Sequence, residues 1–356
     1  MTHTARAPRP KTSLSLREFH ALFPDEAAAR AWFEAARWPD GPVCPRCGAT
    51  ERASWLASRA RWTCRDCKLQ YSVMSFTPMH RSHIPLLVWA QAIYLMVTSS
   101  KGISAVKLSQ ILGLSYRSAW FLAHRIRAMM AADLETGRPL LGGLVEIDET
   151  YAGAPPRQSA PSENPRGDDE TKSPSSGGSG SKPRKAGRGT PRPMVIVAVE
   201  RSAPYADGVR IMGRSHAQPL STHSRGAITA ALQGVLDSRA TIMTDGLPAY
   251  RHLGQAHGGI HTHHTVIHSQ REFARTDAST GQRVHVNTAE SWCAALDRAV
   301  VGVFHHLSAK HLHRYVEEAT HRWNTRGRPV WDRMQAVVKA SAGTRLSFKD
   351  IVAAPA

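Results

Sequence analysis

The apolar positions of the chain follow two periods, one for each half. Between residues 14 and 38, Leu16, Phe19, Leu22 and Phe23, then Ala28, Trp32, Phe33 and Ala36, recur at helical spacing. Pro24-Asp25-Glu26 carries the proline and acids of a helix start. Residues 85–98 form a strongly apolar helix. Two further helical patterns, 103–113 and 114–127, meet at a Leu-Gly-Leu-Ser turn in which Ser115 is placed to cap the second. That is the layout of a helix-turn-helix, with an ordinary helical hairpin as the alternative. Its second helix offers Tyr116, Arg117, His124 and Arg127 as outward residues for a major groove.

From residue 144 the period becomes two. Val145, Ile147 and Tyr151 alternate with Glu146, Asp148 and Thr150, and Gly153 closes the stretch, which reads as a strand with one face on a core. Residues 193–200 are a continuous apolar run, a buried strand, and 208–213 is its expected hairpin partner. A helix is expected over 224–237, with Ile228, Leu232, Val235 and Leu236 on one side. A strand over 240–246 ends in Asp245, and a short one covers 265–268. Helices follow over 287–304 and 311–326. Strands alternating with helices make this half an α/β domain with a mixed sheet.

Composition divides the chain further. Residues 1–13 are a basic tail, expected to be disordered; 14–80 hold two helices and a cysteine-rich module; 81–138 are the helical module; 139–330 are the α/β domain; 331–356 are a C-terminal tail. Residues 154–190 are Pro, Gly, Ser, Lys and Arg with almost no large apolar side chain, which reads as a disordered insertion within one domain. The net charge of +18 and pI near 10.3 favour a polyanionic partner, most simply DNA. No apolar run of about 18 residues and no signal-peptide core occur, so no membrane role is expected and the cytoplasm, in association with the nucleoid, is the expected compartment.

Four of the five cysteines form Cys44-Pro-Arg-Cys47 and Cys64-Arg-Asp-Cys67, with sixteen residues between. Each knuckle places two thiolates on one tight turn, and two knuckles joined by a hairpin's length of chain complete a tetrahedral zinc ribbon. Trp55, residues 61–63 and residues 70–73 supply its strands. Four thiolates leave no open position, so the Zn²⁺ is structural. Arg61 and Arg65 lead a basic surface around it, suited to solvent or to a DNA backbone.

Asp148 and Asp245 on strands and Glu290 on a helix form the ligand set that two Mg²⁺ or Mn²⁺ ions need: hard oxygens on rigid elements, with positions left for a phosphate and a water. The histidines 261, 263, 264 and 268 are read as a loop and strand near DNA rather than a second metal site, and Cys293 as a small core residue.

Taken in order, these motifs resemble the ISXO2-like transposases of the IS1595 family of bacterial insertion sequences. The resemblance rests on the ribbon cysteines, Val145-Glu-Ile-Asp-Glu-Thr-Tyr151, Thr244-Asp-Gly246, Val286-Asn-Thr-Ala-Glu-Ser-Trp292, Gly302-Val-Phe-His-His306 and His321-Arg-Trp-Asn-Thr-Arg326. It implies a ribonuclease-H-like fold and an enzyme that cuts at transposon ends and joins the freed 3′ hydroxyl to target DNA. Its partners would be the terminal inverted repeats and target DNA, bound as a homo-oligomer. Asp148 and Asp245 would hold the metals, with Glu290 favoured as the third ligand and Asn287 positioning metal, water or phosphate. Where the family carries Lys, this chain has Asp297, and the adjacent Arg298 would offer a phosphate contact instead. A transposase-derived DNA-binding regulator and a DNA nuclease are the rival readings.

Overall fold

In the computed structural model, residues 13–152, 193–202, 212–343 and 345–353 are described. The expected tail 1–13, all but its last residue, and the expected insertion 154–190 lie outside them.

Helix α1 (Leu16–Leu22) opens with a capping box between Ser15 and Glu18, and α2 (Glu26–Arg37) is capped by Asp25, one residue into the Pro-Asp-Glu signal. A three-stranded antiparallel sheet follows, β1 (Ala53–Leu56), β2 (Arg61–Cys64) and β3 (Gln70–Tyr71), in that order. Then come α3 (Leu86–Thr98), α4 (Ala105–Leu112) and α5 (Tyr116–Glu135). Gly113 between α4 and α5 sits at φ +63°, the left-handed position that ends a helix, and Ser115 caps α5 by accepting the Ser118 N–H.

The second half carries β4 (Leu144–Tyr151), β5 (Met194–Glu200), β6 (Ser215–Leu220), α6 (Arg225–Leu232), β7 (Thr241–Asp245), β8 (Thr262–Val266), the short hairpin β9 (Ala274–Thr276) and β10 (Arg283–His285), α7 (Asn287–Ala299) and α8 (Leu312–Thr325). Helices α9 (Val330–Ala340) and α10 (Phe348–Val352) complete the chain. The main sheet has the order β6-β5-β4-β7-β8; β4, β5 and β6 are antiparallel, whereas β7 and β8 run parallel to β4. This is the α/β mixed sheet with helices expected of a ribonuclease-H-like domain. Val145, Ile147, Ile196 and Ile242 bury one face under α6, while Val195, Val197 and Val199 pack the other against Trp292 and Leu296 of α7 and Val316 of α8. Strand β5 is buried on both faces, which explains its unbroken apolar run.

Four expectations change. The partner of β5 is β6 at 215–220, whereas the expected 208–213 lies, but for its last two residues, outside the described residues: as an edge strand β6 alternates polar and apolar and tolerates Pro219, so it lacked an apolar signature. Helix α6 stops at Leu232, because Gly234 at φ +68° breaks the pattern. The helix expected over 287–304 is α7 followed by a π-turn over Val300–Phe304. Residues 331–356, expected as a tail, contain most of α9, whose Val330, Met334, Val337 and Val338 fall on one face and enter the N-terminal core beside Phe23, Trp32 and Trp89.

Candidate metal centres and active site

The four ribbon thiols converge. Cys44 Sγ lies 3.5 Å from Cys67 Sγ, Cys47 Sγ lies 3.7 Å from Cys64 Sγ, and all four fall within 4.8 Å of one another. A tetrahedral zinc with bonds of about 2.3 Å sets its sulfurs roughly 3.8 Å apart, so the spacing fits. The two knuckles share one backbone geometry. Gly48 N–H donates to Cys44 O and Lys68 N–H to Cys64 O, and both turn residues have positive φ. Lys68 takes this conformation without being glycine, a local cost that the metal's four bonds offset.

Asp148 is the fifth residue of β4 and Asp245 the last of β7. Ile147 pairs with Thr244 across the parallel ladder, so the two aspartates stand next in register on neighbouring strands. The Asp148 carboxyl is pushed up to about 7, first by burial, then by Glu149, Asp245 and Glu290, against the pull of the Glu149 amide. One oxygen accepts that amide at 2.9 Å, and the other faces the Cys293 thiol at 3.9 Å. Burial, then Asp148, Asp297, Glu149 and Glu290, hold Cys293 protonated, so this core residue of α7 also touches the site. Asp245 accepts the Leu247 N–H, which fixes the turn after β7.

Glu290 and Asn287 occupy the first turn of α7, both exposed. Glu290 Oε1 lies 3.9 Å from His268 Nε2. It reaches Asp148 electrostatically, but the three carboxylates do not close to ligand distance: among the described residues only the cysteine cluster brings three or more such ligand atoms within 4.8 Å. The histidines on and around β8 make separate contacts, His261 with Ala240 O, His263 with Thr244 Oγ1 at 2.8 Å and His264 with Asp277 at 3.4 Å.

What places α7 is Glu146, two residues before Asp148 on the same strand face. It is wholly buried, and its carboxylate accepts the backbone N–H groups of Thr288 (2.6 Å) and Ala289 (3.0 Å) and the Thr288 hydroxyl (3.0 Å). These are donors that a helix N-terminus leaves unmet, and an anion there is favoured. Arg201, just beyond β5, pairs with Glu146 at 2.5 Å and also binds the Arg283 and His285 carbonyls. On the other strand face, Glu149 accepts the Tyr250 hydroxyl at 2.5 Å. The sequence reading missed Glu146, although its even spacing from Asp148 was the available signal.

The proposed DNA contacts divide. Arg61, Arg65, Arg117 and Arg298 are exposed, with the Arg117 guanidinium 4.9 Å from the Phe348 ring centroid. Arg127 and His124, expected to face outward, are 2% and 0% exposed. Arg127 pairs with the buried Glu318 of α8 at 2.7 Å and lies 4.1 Å from the Tyr315 ring centroid; Glu318 also binds Arg322. His124 packs against Trp120, His311 and Tyr315, and burial together with Arg127 lowers it to about 2, keeping it neutral. The middle of α5 is thus bolted to the α/β domain, and of its candidate groove-facing residues only Tyr116 and Arg117, in the first turn, are exposed. No helix among the described residues is long and apolar enough to cross a membrane.

Two family models match the chain. A transposase zinc-ribbon model matches residues 24–70, which hold all four cysteines. The ISXO2-like transposase domain model matches residues 140–324, which hold Asp148, Asp245 and Glu290. No curated protein and no solved structure matches the chain. Since the domain model spans more than half of the 356 residues, the chain belongs to the ISXO2-like transposases of the IS1595 family, with an N-terminal zinc ribbon.

Proposed function

We propose that the chain is a metal-dependent DNA transposase that cuts at the ends of its insertion sequence and joins the freed 3′ hydroxyl to target DNA. Asp148, Asp245 and Glu290 are its metal ligands, and Asn287 positions phosphate or water. The observation that carries this reading is the raised Asp148 carboxyl, crowded by Glu149, Asp245 and Glu290 where the parallel ladder of β4 and β7 ends. Crowded carboxylates of this kind resist ionisation until a cation joins them.

Mg²⁺ or Mn²⁺ held there supplies Lewis-acid polarisation of a phosphate and a more acidic water. The chain's own residues fix the frame. Glu146 and Arg201 hold the start of α7, Cys293 and the Glu149 amide orient the two Asp148 oxygens, and Tyr250 restrains Glu149. To complete the set Glu290, which lies 3.9 Å from His268, would turn toward the aspartates. The exposed Arg61, Arg65, Arg117 and Arg298 contact DNA phosphates, by counterion release rather than base reading.

The test is cleavage and binding on DNA carrying the element's ends, at fixed salt, with Mg²⁺ for chemistry and Ca²⁺ for binding. Asp148→Asn, Asp245→Asn and Glu290→Gln each lose cleavage while end binding persists. A normal Glu290→Gln beside a dead Asn287→Ala would reassign the third position. Should the parent bind ends and never cut, with all three variants behaving like it, the regulator reading replaces the enzyme.

A further inference from the structure

Several donors without partners gather at one place. A cavity of about 290 Å³ lies where the turn after α3 meets α7, α8 and α9. Trp292 of α7 lines it, is 1% exposed, and has no hydrogen-bond partner for its Nε1. Trp323 Nε1 and Arg333 Nε, on two other walls, also lack partners. Arg322, already paired with Glu318, and Arg326 add two more guanidiniums, and hydroxyls of residues 98–100 line the cavity. No carboxylate lines the cavity among the described residues.

Indole and guanidinium groups donate and never accept, so the polar side chains of this wall present donors alone apart from its hydroxyls. Buried donors left unmet are uncommon and costly. The occupant that answers them is a compact, acceptor-rich anion. The volume, set against the roughly 30 Å³ share of one liquid water, admits a tetrahedral oxyanion with part of its hydration. The guanidiniums are held in place: Arg333 donates to the Val97 carbonyl at 2.7 Å, and Arg326 to the Gly213 carbonyl at 3.0 Å. The cavity runs into a second depression that shares Thr98, Arg326 and Arg333 with it and adds Arg328.

We propose that this cavity is a phosphate-binding site, seating one backbone phosphate of a DNA strand that follows the line of arginines. Only the source of the phosphate rests on the transposase reading; the site itself does not.

The test uses the full-length protein. Inorganic phosphate is titrated against sodium chloride of equal ionic strength, reading tryptophan fluorescence, since two indoles line the site, and thermal midpoint. The expected result is a saturable response in the parent, weakened at least tenfold in Arg333→Gln and in Trp323→Phe, which removes the indole N–H together with part of the ring, so that variant is read by its thermal midpoint. In parallel, duplex binding is followed against salt, where loss of one phosphate contact lowers the log–log slope by about 0.9. Saturable phosphate binding with a lowered slope in the variants supports the whole proposal. Saturable binding with an unchanged slope supports a site for free phosphate and overturns the DNA source. A parent that responds to phosphate no more than to chloride overturns the site. If Arg333→Gln does not fold, Trp323→Phe and the parent titration decide. None of these readouts involves cleavage, so a failed transposase reading and a failed phosphate site remain distinguishable.

Discussion

Replacing Glu146 with Gln removes one charge and almost no volume, so it isolates what that carboxylate does. Three donors of Thr288 and Ala289 and the Arg201 guanidinium converge on it in a wholly buried position. Stripping one partner from a buried ion pair costs about 3–5 kcal/mol, and an anion at a helix N-terminus is worth up to ~2 kcal/mol. The two overlap, because the same oxygens serve both, so a total of about 3–5 kcal/mol is expected. For an α/β domain of this size each kcal/mol shifts the midpoint by roughly 2–4 °C, so Glu146→Gln melts on the order of 10 °C below the parent. Thermal unfolding followed by circular dichroism and by tryptophan emission, with Trp292 riding on α7, measures it. Replacing both partners, as in Glu146→Leu with Arg201→Met, removes the unpaired guanidinium but still leaves the Thr288 and Ala289 donors unmet, so it restores only part of the loss. A Glu146→Gln protein that melts within a degree or so of the parent would refute the reasoning.

Two further outcomes follow from the metal centres. Chelating zinc, or Cys44→Ser, unfolds residues 14–80 with loss of about 10–16 kcal/mol of apparent metal-coupled stability; metal analysis with far-ultraviolet dichroism checks it, and an unchanged fold without zinc would contradict it. The Asp148 carboxyl, raised in the fold to about 7, binds a proton there that the unfolded chain has already released. Stability of the metal-free protein therefore falls as pH climbs from about 4 to about 7, by an amount on the order of 4 kcal/mol at most, and Asp148→Asn flattens that slope. Equal slopes in the two proteins would show that Asp148 is an ordinary solvated acid.

Legibility in the sequence tracked how local each determinant is. The ribbon was readable because its four ligands lie within 24 residues and each knuckle is a self-contained turn. Strands β4, β5 and β7 were readable because burial imposes period two or an unbroken apolar run, and each acid could be placed on its strand. Strand β6 was not, since an edge strand needs only half its residues buried. The inward turn of His124 and Arg127 is set by α8, where Glu318, 191 residues after Arg127, supplies the charge that makes burial of Arg127 tolerable. Glu146 could be seen on the Asp148 face but not as a helix cap, because α7 arrives some 140 residues downstream. Long-range partners decide such roles, and spacing does not encode them.

Helix α9 has a consequence for how the protein is made. The core formed by Phe23, Trp32 and Trp89 is finished by Val330, Met334 and Val337, so a ribosome has delivered the entire α/β domain before the first helices can close their apolar surface. Trp331 stacks on Phe23 and reaches Trp32, residues that emerge about 300 positions earlier. Until then the amino-terminal half waits with aromatic side chains open to other chains, a state prone to misassembly. A message truncated before residue 330 would therefore leave the core around Phe23, Trp32 and Trp89 open, and a full-length chain closes it last.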